Sequence, residues 1–172
     1  YVVKPAVGAG SRGARRFRAD QAGQARAHAA RLQRDGATPL TQPYLPAVDD
    51  AGETALVYFD GRYSHAIRKG AILEREGADG GLFEPERVAG LFAPERITPR
   101  AAARDELAVG ERVLAAVTQR TGRVPLYARV DLIRDDTGQP RVLELEMTEP
   151  SLFFRHAPGS AGRLADAVLA RL

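Results

Sequence analysis

Apolar positions along the chain change their period several times, and each change marks an element. Tyr1 to Lys4 is short and mostly apolar and reads as a buried strand, followed by a loop with glycines at 8, 10 and 13. From Asp20 to Asp35 the period is helical, with Ala22, Ala25, Ala29 and Leu32 on one face and Gly36 as the stop. Thr38 to Leu45 is extended again, but prolines at 39, 43 and 46 confine it to a short or edge strand.

Leu56 to Phe59 and Arg62 to Ile67 flank Asp60-Gly61, the pair that a type I′ turn prefers, so a hairpin is expected. Residues 71 to 98 are rich in Gly, Pro and Glu and read as a long mobile loop bordering a substrate cleft. Pro99 to Arg120 is helical, with Leu107, Val113, Leu114 and Val117 on its apolar side. Tyr127 to Ile133 and Arg141 to Thr148 form a second hairpin, with a two-residue turn expected at Thr137-Gly138. Ser160 to Leu172 closes the chain as an amphipathic helix with Leu164, Val168 and Leu172 inward. The fold class is α+β with mainly antiparallel sheets.

Composition narrows the function classes. With 172 residues, 44% of them hydrophobic, the chain can build a real core. No apolar run reaches the roughly 18 residues that a membrane helix needs, and the start lacks the basic leader and apolar stretch of a signal peptide. A chain that opens inside a strand reads as one whose N-terminal part is absent. It has no cysteine, which excludes thiolate chemistry and fits a cytoplasmic protein. Net charge is +3, and the only lysines are Lys4 and Lys69. A nucleic-acid surface would show a basic stripe with interleaved aromatics; the cluster Arg12, Arg15, Arg16 and Arg18 is the only candidate, and the acidic C-terminal half argues against that partner.

The last hairpin carries the densest chemistry. Strand alternation puts Arg129 and Asp131 on one face, and Glu144 and Glu146 on one face of the facing strand. An even turn sets Asp131 opposite Glu144 and Arg129 opposite Glu146. Three carboxylates then crowd one patch, which is either a solvated polar face or a site for a hard divalent cation that relieves their repulsion. At the other end, Lys4 is followed by the glycine loop of Gly8, Gly10, Ser11 and Gly13. Backbone amides there can cradle phosphate, or the loop is simply a turn. Gln42, Pro43, Tyr44 and Leu45 can offer adenine a carbonyl and an N–H two residues later, Pro43 serving only the carbonyl role, or form an ordinary edge strand. Glu53 can accept from ribose hydroxyls. Lys69 ends its hairpin strand. His28, His65 and His156 show no metal-ligand spacing and read as structural or surface groups, with His65 nearest to Lys69.

The order of these features resembles the ATP-grasp superfamily. Val-Val-Lys-Pro, the glycine loop, Gln-Pro-Tyr-Leu, Gly-Glu, Phe-Asp-Gly-Arg-Tyr-Ser-His-Ala-Ile-Arg-Lys, Ala-Arg-Val-Asp and Leu-Glu-Leu-Glu-Met-Thr-Glu-Pro follow one another along essentially the whole chain. The pattern is similar to glutathione synthetases, D-alanine–D-alanine ligases and RimK-like ligases, and to small ATP-grasp proteins related to the cyclo-ligase of cycloserine biosynthesis. The resemblance implies an ATP-grasp fold, two α+β subdomains sandwiching ATP: a small lid over 1–46, incomplete at its start, and a large subdomain over 47–172 carrying the metal site.

It also implies roles for single residues. Lys4 and Lys69 contact ATP phosphates and Gly8, Gly10, Ser11 and Gly13 fold over them. Gln42, Pro43, Tyr44 and Leu45 form the adenine hinge and Glu53 binds ribose. Arg129 stabilises the transferring phosphoryl group, and Asp131, Glu144 and Glu146 hold Mg2+. The implied enzyme joins a small-molecule carboxylate to an amine, or to a thiol, through an acyl phosphate. Many relatives have asparagine where this chain has Glu146, which leaves the number of metals open. Relatives also have an N-terminal domain that supplies substrate contacts, so the chain by itself is expected to bind ATP weakly and to lack ligation. The competing classes are a non-catalytic nucleotide-binding or interaction module and a basic nucleic-acid-binding domain. Oligomeric state, a homo-oligomer included, is left open.

Overall fold

The computed structural model describes residues 1–8, 11–71 and 96–172, and the chain divides into two compact units, Tyr1–Tyr44 in the first and Leu45–Ala71 with Arg96–Leu172 in the second. Gly10 and residues 72–95 of the expected loop therefore lie outside the described residues.

In the first unit, β1 (Val2–Pro5) is flanked by β2 (Arg15–Arg16) and β3 (Pro39–Gln42) in an antiparallel sheet of order β2-β1-β3. As the prolines required, β3 is a short edge strand. Helix α1 (Ala22–Arg34) starts two residues later than expected because residues 19–21 form a 3-10 turn. Val3, Phe17, Ala25 and Leu32 form the core between helix and sheet. Alternation along β1 turns Val3 toward α1 and sends Lys4 to the opposite face, which it shares with Gln42 and Arg16 through their pairing with β1.

The second unit is a five-stranded antiparallel sheet of order β6-β5-β4-β7-β8, made of β4 (Glu53–Phe59), β5 (Arg62–Lys69), β6 (Ile97–Arg100), β7 (Tyr127–Arg134) and β8 (Pro140–Glu146). Asp60 and Gly61 both have positive φ, 49° and 72°, which is the I′ geometry read from the sequence. The segment expected to begin a helix at Pro99 is instead the edge strand β6, and the helix α3 spans Arg104–Thr121. A short helix α2 (Ala47–Ala51), which the pattern did not suggest, precedes β4.

Helix α3 covers one face of the sheet, where Leu56, Tyr58, Ala66, Leu114, Ala128, Val130 and Leu132 form the main core. Each large apolar side chain buried there stabilises the fold by roughly 1.5–3 kcal/mol. The buried Glu106 fastens the start of α3 to the sheet, accepting from the Thr54 hydroxyl at 2.9 Å, Arg100 at 3.0 Å and the Ala103 amide at 2.8 Å. The opposite face packs Val57 and Phe59 against Ala167 and Leu164 of α4 (Ser160–Leu169). The expected inward face of that helix needs correction: Ala167 is buried, whereas Val168 is exposed and Leu172 is 97% exposed. Among the described residues no helix is long and apolar enough to cross a membrane.

Candidate functional site

Register in the central sheet aligns the polar residues in rows on the α4 face. His65, Val57, Arg129 and Glu146 are successive cross-strand partners from β5 to β8. Ile67, Ala55, Asp131 and Glu144 form the next row, and Lys69 with Glu53 the one after. The expected pairs Asp131–Glu144 and Arg129–Glu146 are present, but the turn is not the two-residue one. Arg134 pairs with Pro140 across a five-residue loop, an odd number that alone would shift the register. A bulge between Asp131 and Leu132 takes up the extra residue, Leu143, and restores the pairing.

The result is a dense charge cluster. Asp131 has no exposure at all, and Arg129 is only 5% exposed. Arg129 Nε and Nη2 donate to Asp131 Oδ1 and Oδ2 at 2.8 and 2.9 Å, and Nη2 also reaches Glu146 Oε1 at 2.5 Å. Lys69 Nζ lies 3.0 Å from both Asp131 Oδ2 and Glu53 Oε2, reaching across the small Ala55. Burial raises the Glu146 carboxyl above its usual range, Arg129 pulls it back, and Glu144 and Asp131 push it further up. Gly52 lets the chain entering β4 lie against the end of β5: its φ is +68° and a Cβ there would sit 2.3 Å from the Lys69 carbonyl oxygen.

Oxygens of Asp131, Glu144 and Glu146 lie within 4.8 Å of one another. Three hard carboxylate donors at that spacing suit a magnesium-sized cation. Arg129 and Lys69 already occupy both Asp131 oxygens, so a metal would take Asp131 through a single remaining lone pair and find most of its protein ligands on Glu144 and Glu146. The residues present fit the ion.

Segment 147–159 adds partners that sequence reasoning missed. Arg129 Nη1 donates to the Ser151 carbonyl at 3.3 Å, and the Phe153 ring lies 5.5 Å from its guanidinium carbon. The Pro-Ser pair after the last acidic strand was the available signal, but nothing in it announced a return over Arg129.

The other candidates lie in the first unit or at its edge. Lys4 is partly exposed on β1. Gly8 is exposed, Ser11 has φ 58° and Gly13 φ 74°, so two of the described residues of the glycine loop use left-handed backbone. The buried His28, through Nε2, bonds the Gly13 carbonyl at 2.8 Å. The chain passes from the first unit to the second between Tyr44 and Leu45, so Gln42, Pro43, Tyr44 and Leu45 straddle that boundary. Arg16 stacks over the Tyr44 ring at 3.6 Å. The structure thus gathers Arg129, Lys69, Asp131, Glu144, Glu146 and Glu53 in one cluster of the second unit. Lys4, Gly8, Ser11, Gly13, Gln42, Pro43 and Tyr44 belong to the first unit.

No family model matches the sequence. A curated relative, the cycloserine biosynthesis protein DcsG of Streptomyces lavendulae, is 40% identical over 174 residues, covering 100% of this chain and 55% of that protein. The crystal structure of D-cycloserine synthetase DcsG superposes with a TM-score of 0.86 at 38% identity, over 99% of this chain and 55% of that one. The ATP-grasp ligase PsnB, complexed with a phosphomimetic variant of a minimal precursor, Mg and ADP, shares the fold with a TM-score of 0.57 at 22% identity, over 99% of this chain and 45% of that one. D-alanine–D-alanine ligase from Bacillus anthracis does so with a TM-score of 0.54 at 18% identity, over 98% of this chain and 53% of that one. The chain spans about half the length of the relatives it matches.

Proposed function

The chain belongs to the ATP-grasp superfamily, and on that premise we propose that it is the ATP- and magnesium-binding core of a carboxylate–amine ligase. The observation that carries the reading is the buried Arg129–Asp131–Lys69 cluster edged by Glu144 and Glu146. Burying two cations and a carboxylate beside two more carboxylates costs desolvation that their mutual attraction repays poorly, so such a cluster is weak support for a sheet and a marker of a ligand site.

In this reading a substrate carboxylate oxygen attacks the γ-phosphorus of ATP, the bond to the β–γ bridging oxygen breaks, and ADP leaves. The amine nitrogen then attacks the acyl carbon, phosphate departs, and the nitrogen sheds a proton. Asp131, Glu144 and Glu146 would hold magnesium, which neutralises phosphate charge when bound. Arg129 faces the transferring phosphoryl group, and its grip on Asp131 keeps the guanidinium in place before the group arrives. Lys69 exchanges Glu53 or Asp131 for a phosphate oxygen, and Glu53, so released, accepts from the ribose. Lys4 and the amides of Gly8, Gly10, Ser11 and Gly13 cover the phosphates, while Pro43 and Leu45 supply the backbone groups for adenine. Residues 1–46 act as the lid and 47–172 as the metal-bearing part.

The likeness to DcsG favours a small amino-acid-derived carboxylate as substrate. The remaining part of the protein would complete the substrate site, and ATP supply places the work in the cytoplasm. A thermal-shift comparison of ATP, GTP and no nucleotide, each with and without magnesium, tests the core of this. Stabilisation by ATP that requires magnesium is expected, and none with any nucleotide overturns the reading.

A further inference from the structure

His65 stands in the same cross-strand row as Arg129, separated from it only by Val57. It is 8% exposed, and its Nε2 lies 2.9 Å from the Leu152 carbonyl oxygen. Burial and the nearby Arg163 keep the imidazole neutral, holding its pKa below the usual value against the pull of that carbonyl. A neutral ring has one N–H, and a carbonyl can only accept, so Nε2 carries the proton and Nδ1 accepts from the Ser64 hydroxyl at 2.9 Å. Arg163 of α4 in turn donates through Nε to Ser64 Oγ at 3.0 Å. A directed chain of bonds thus runs from α4 through Ser64 and His65 to the backbone at residue 152.

That backbone is the strap that crosses Arg129. Ser151, one residue before, accepts from Arg129 Nη1, and Phe153, one residue after, lays its ring beside the guanidinium. Phe153 has φ 51°, a left-handed conformation that costs energy for any residue with a Cβ and holds only when its surroundings impose it. Phe59 packs beneath, with its ring centroid 6.2 Å from His65 and 6.3 Å from Phe154.

We propose that His65 is a positioning residue: through the Leu152 carbonyl it fixes residues 151–153 against the Arg129 guanidinium and so sets the orientation in which Arg129 meets the transferring phosphoryl group. The inference rests on the ligase reading above. Arg129 keeps Asp131 and Glu146 whatever His65 does, so its charge stays in the site. What the strap adds is the direction of its remaining donors, which matters to a flattened phosphoryl group more than to a resting nucleotide.

The test uses the whole chain with His65→Leu, which cannot donate; His65→Gln, whose amide can replace Nε2–H; and Ser64→Ala, which removes the Nδ1 partner, and with it the acceptor of Arg163, while leaving Nε2–H in place. Hydrogen exchange of residues 147–156 is measured without ligand. Affinity is then measured for MgADP alone and for MgADP with aluminium fluoride, a planar phosphoryl mimic. His65→Leu should speed exchange in 147–156 alone and weaken the fluoride complex about tenfold, the loss of one oriented charged hydrogen bond, with MgADP affinity unchanged. His65→Gln should restore both. Should the leucine variant not fold, Ser64→Ala must show the same pattern in milder form. Parent-like exchange and fluoride affinity in His65→Leu, or in Ser64→Ala if only that variant folds, would overturn the positioning role alone. A parent chain that does not bind MgADP overturns the ligase reading, and the phosphoryl role of His65 with it.

Discussion

Arg129 grips Asp131 two positions along its own strand, with Nε 2.8 Å from Oδ1 and Nη2 2.9 Å from Oδ2. Residues two apart on a strand share a face, so the paired geometry is local in sequence. Its burial is not local, because Val57 and Ala55 of the neighbouring strand flank both side chains. Two parallel bonds fix the guanidinium plane as well as its position.

Removing the acid should therefore cost more than a surface ion pair would. Asp131→Asn keeps the shape and deletes the charge, leaving Arg129 and Lys69 buried without their shared partner. Breaking a buried pair in this way costs about 3–5 kcal/mol, and chemical denaturation of the apo chain measures it. A loss under about 1 kcal/mol, the range of an exposed pair, would mean that the cluster is open to water in solution.

Glu144 predicts the opposite. It is the exposed member of the acidic trio, so Glu144→Gln should leave the apo fold as stable as the parent or slightly more so, by relieving repulsion across the Asp131 pair. Magnesium-dependent stabilisation by ATP should disappear. Retention of that stabilisation would show that the metal does not use this carboxylate.

Lys4 carries the first unit's share of the phosphate charge in the proposed function. Replacing it by methionine keeps the stem and should weaken ATP binding by about tenfold or more, the loss of one charge-assisted hydrogen bond. Leu45→Ala should change affinity little, since Leu45 serves through its backbone. Isothermal titration of both variants gives the comparison, and equal affinity for Lys4→Met and parent counts against the ATP reading.

His28 makes the glycine loop pH-sensitive. Burial lowers its pKa below the ordinary 6.5, partly opposed by the Gly13 carbonyl, with Arg31 and Arg15 lowering it further. A histidine depressed in the folded state contributes stability that is present above its unfolded pKa and is lost as pH falls through the folded one. The parent should thus lose more stability between pH 7.5 and pH 5 than His28→Gln does, each followed by thermal melting. The same slope in both would remove His28 as the cause.

Tyr58 offers a stabilising change. Its hydroxyl is buried and, among the described residues, has no hydrogen-bond partner, and Gly110 of α3 lies against it with no room for a Cβ. An unsatisfied buried polar group costs about 1–3 kcal/mol, so Tyr58→Phe should raise the melting temperature. A lower melting temperature would reveal a partner for the hydroxyl in solution.

Much of this protein was legible from the chain by itself. Alternation on Tyr127–Ile133 and around Glu144 and Glu146 put the charged residues on common faces, because the strand period of two is a property of the backbone. Asp60-Gly61 announced its turn, since few residue pairs accept positive φ twice. The prolines of β3 and the stop at Gly36 are local in the same sense.

Other features depended on long-range packing. A five-residue loop and a compensating bulge set the Asp131–Glu144 register, and either one alone would have moved every side chain of β8 to the other face. Pairing with β5 drew residues 97–100, expected as the end of the long loop and the start of a helix, into an edge strand. Glu53 and Lys69, which lie sixteen positions apart and had no predicted contact, became cross-strand neighbours and now share a bond. His65 meets Leu152 eighty-seven positions away. No local pattern encodes such meetings, because they are selected by the apolar surface that the whole sheet buries against α3 and α4. Sequence periodicity thus determined which residues could face one another, and tertiary packing decided which of them met.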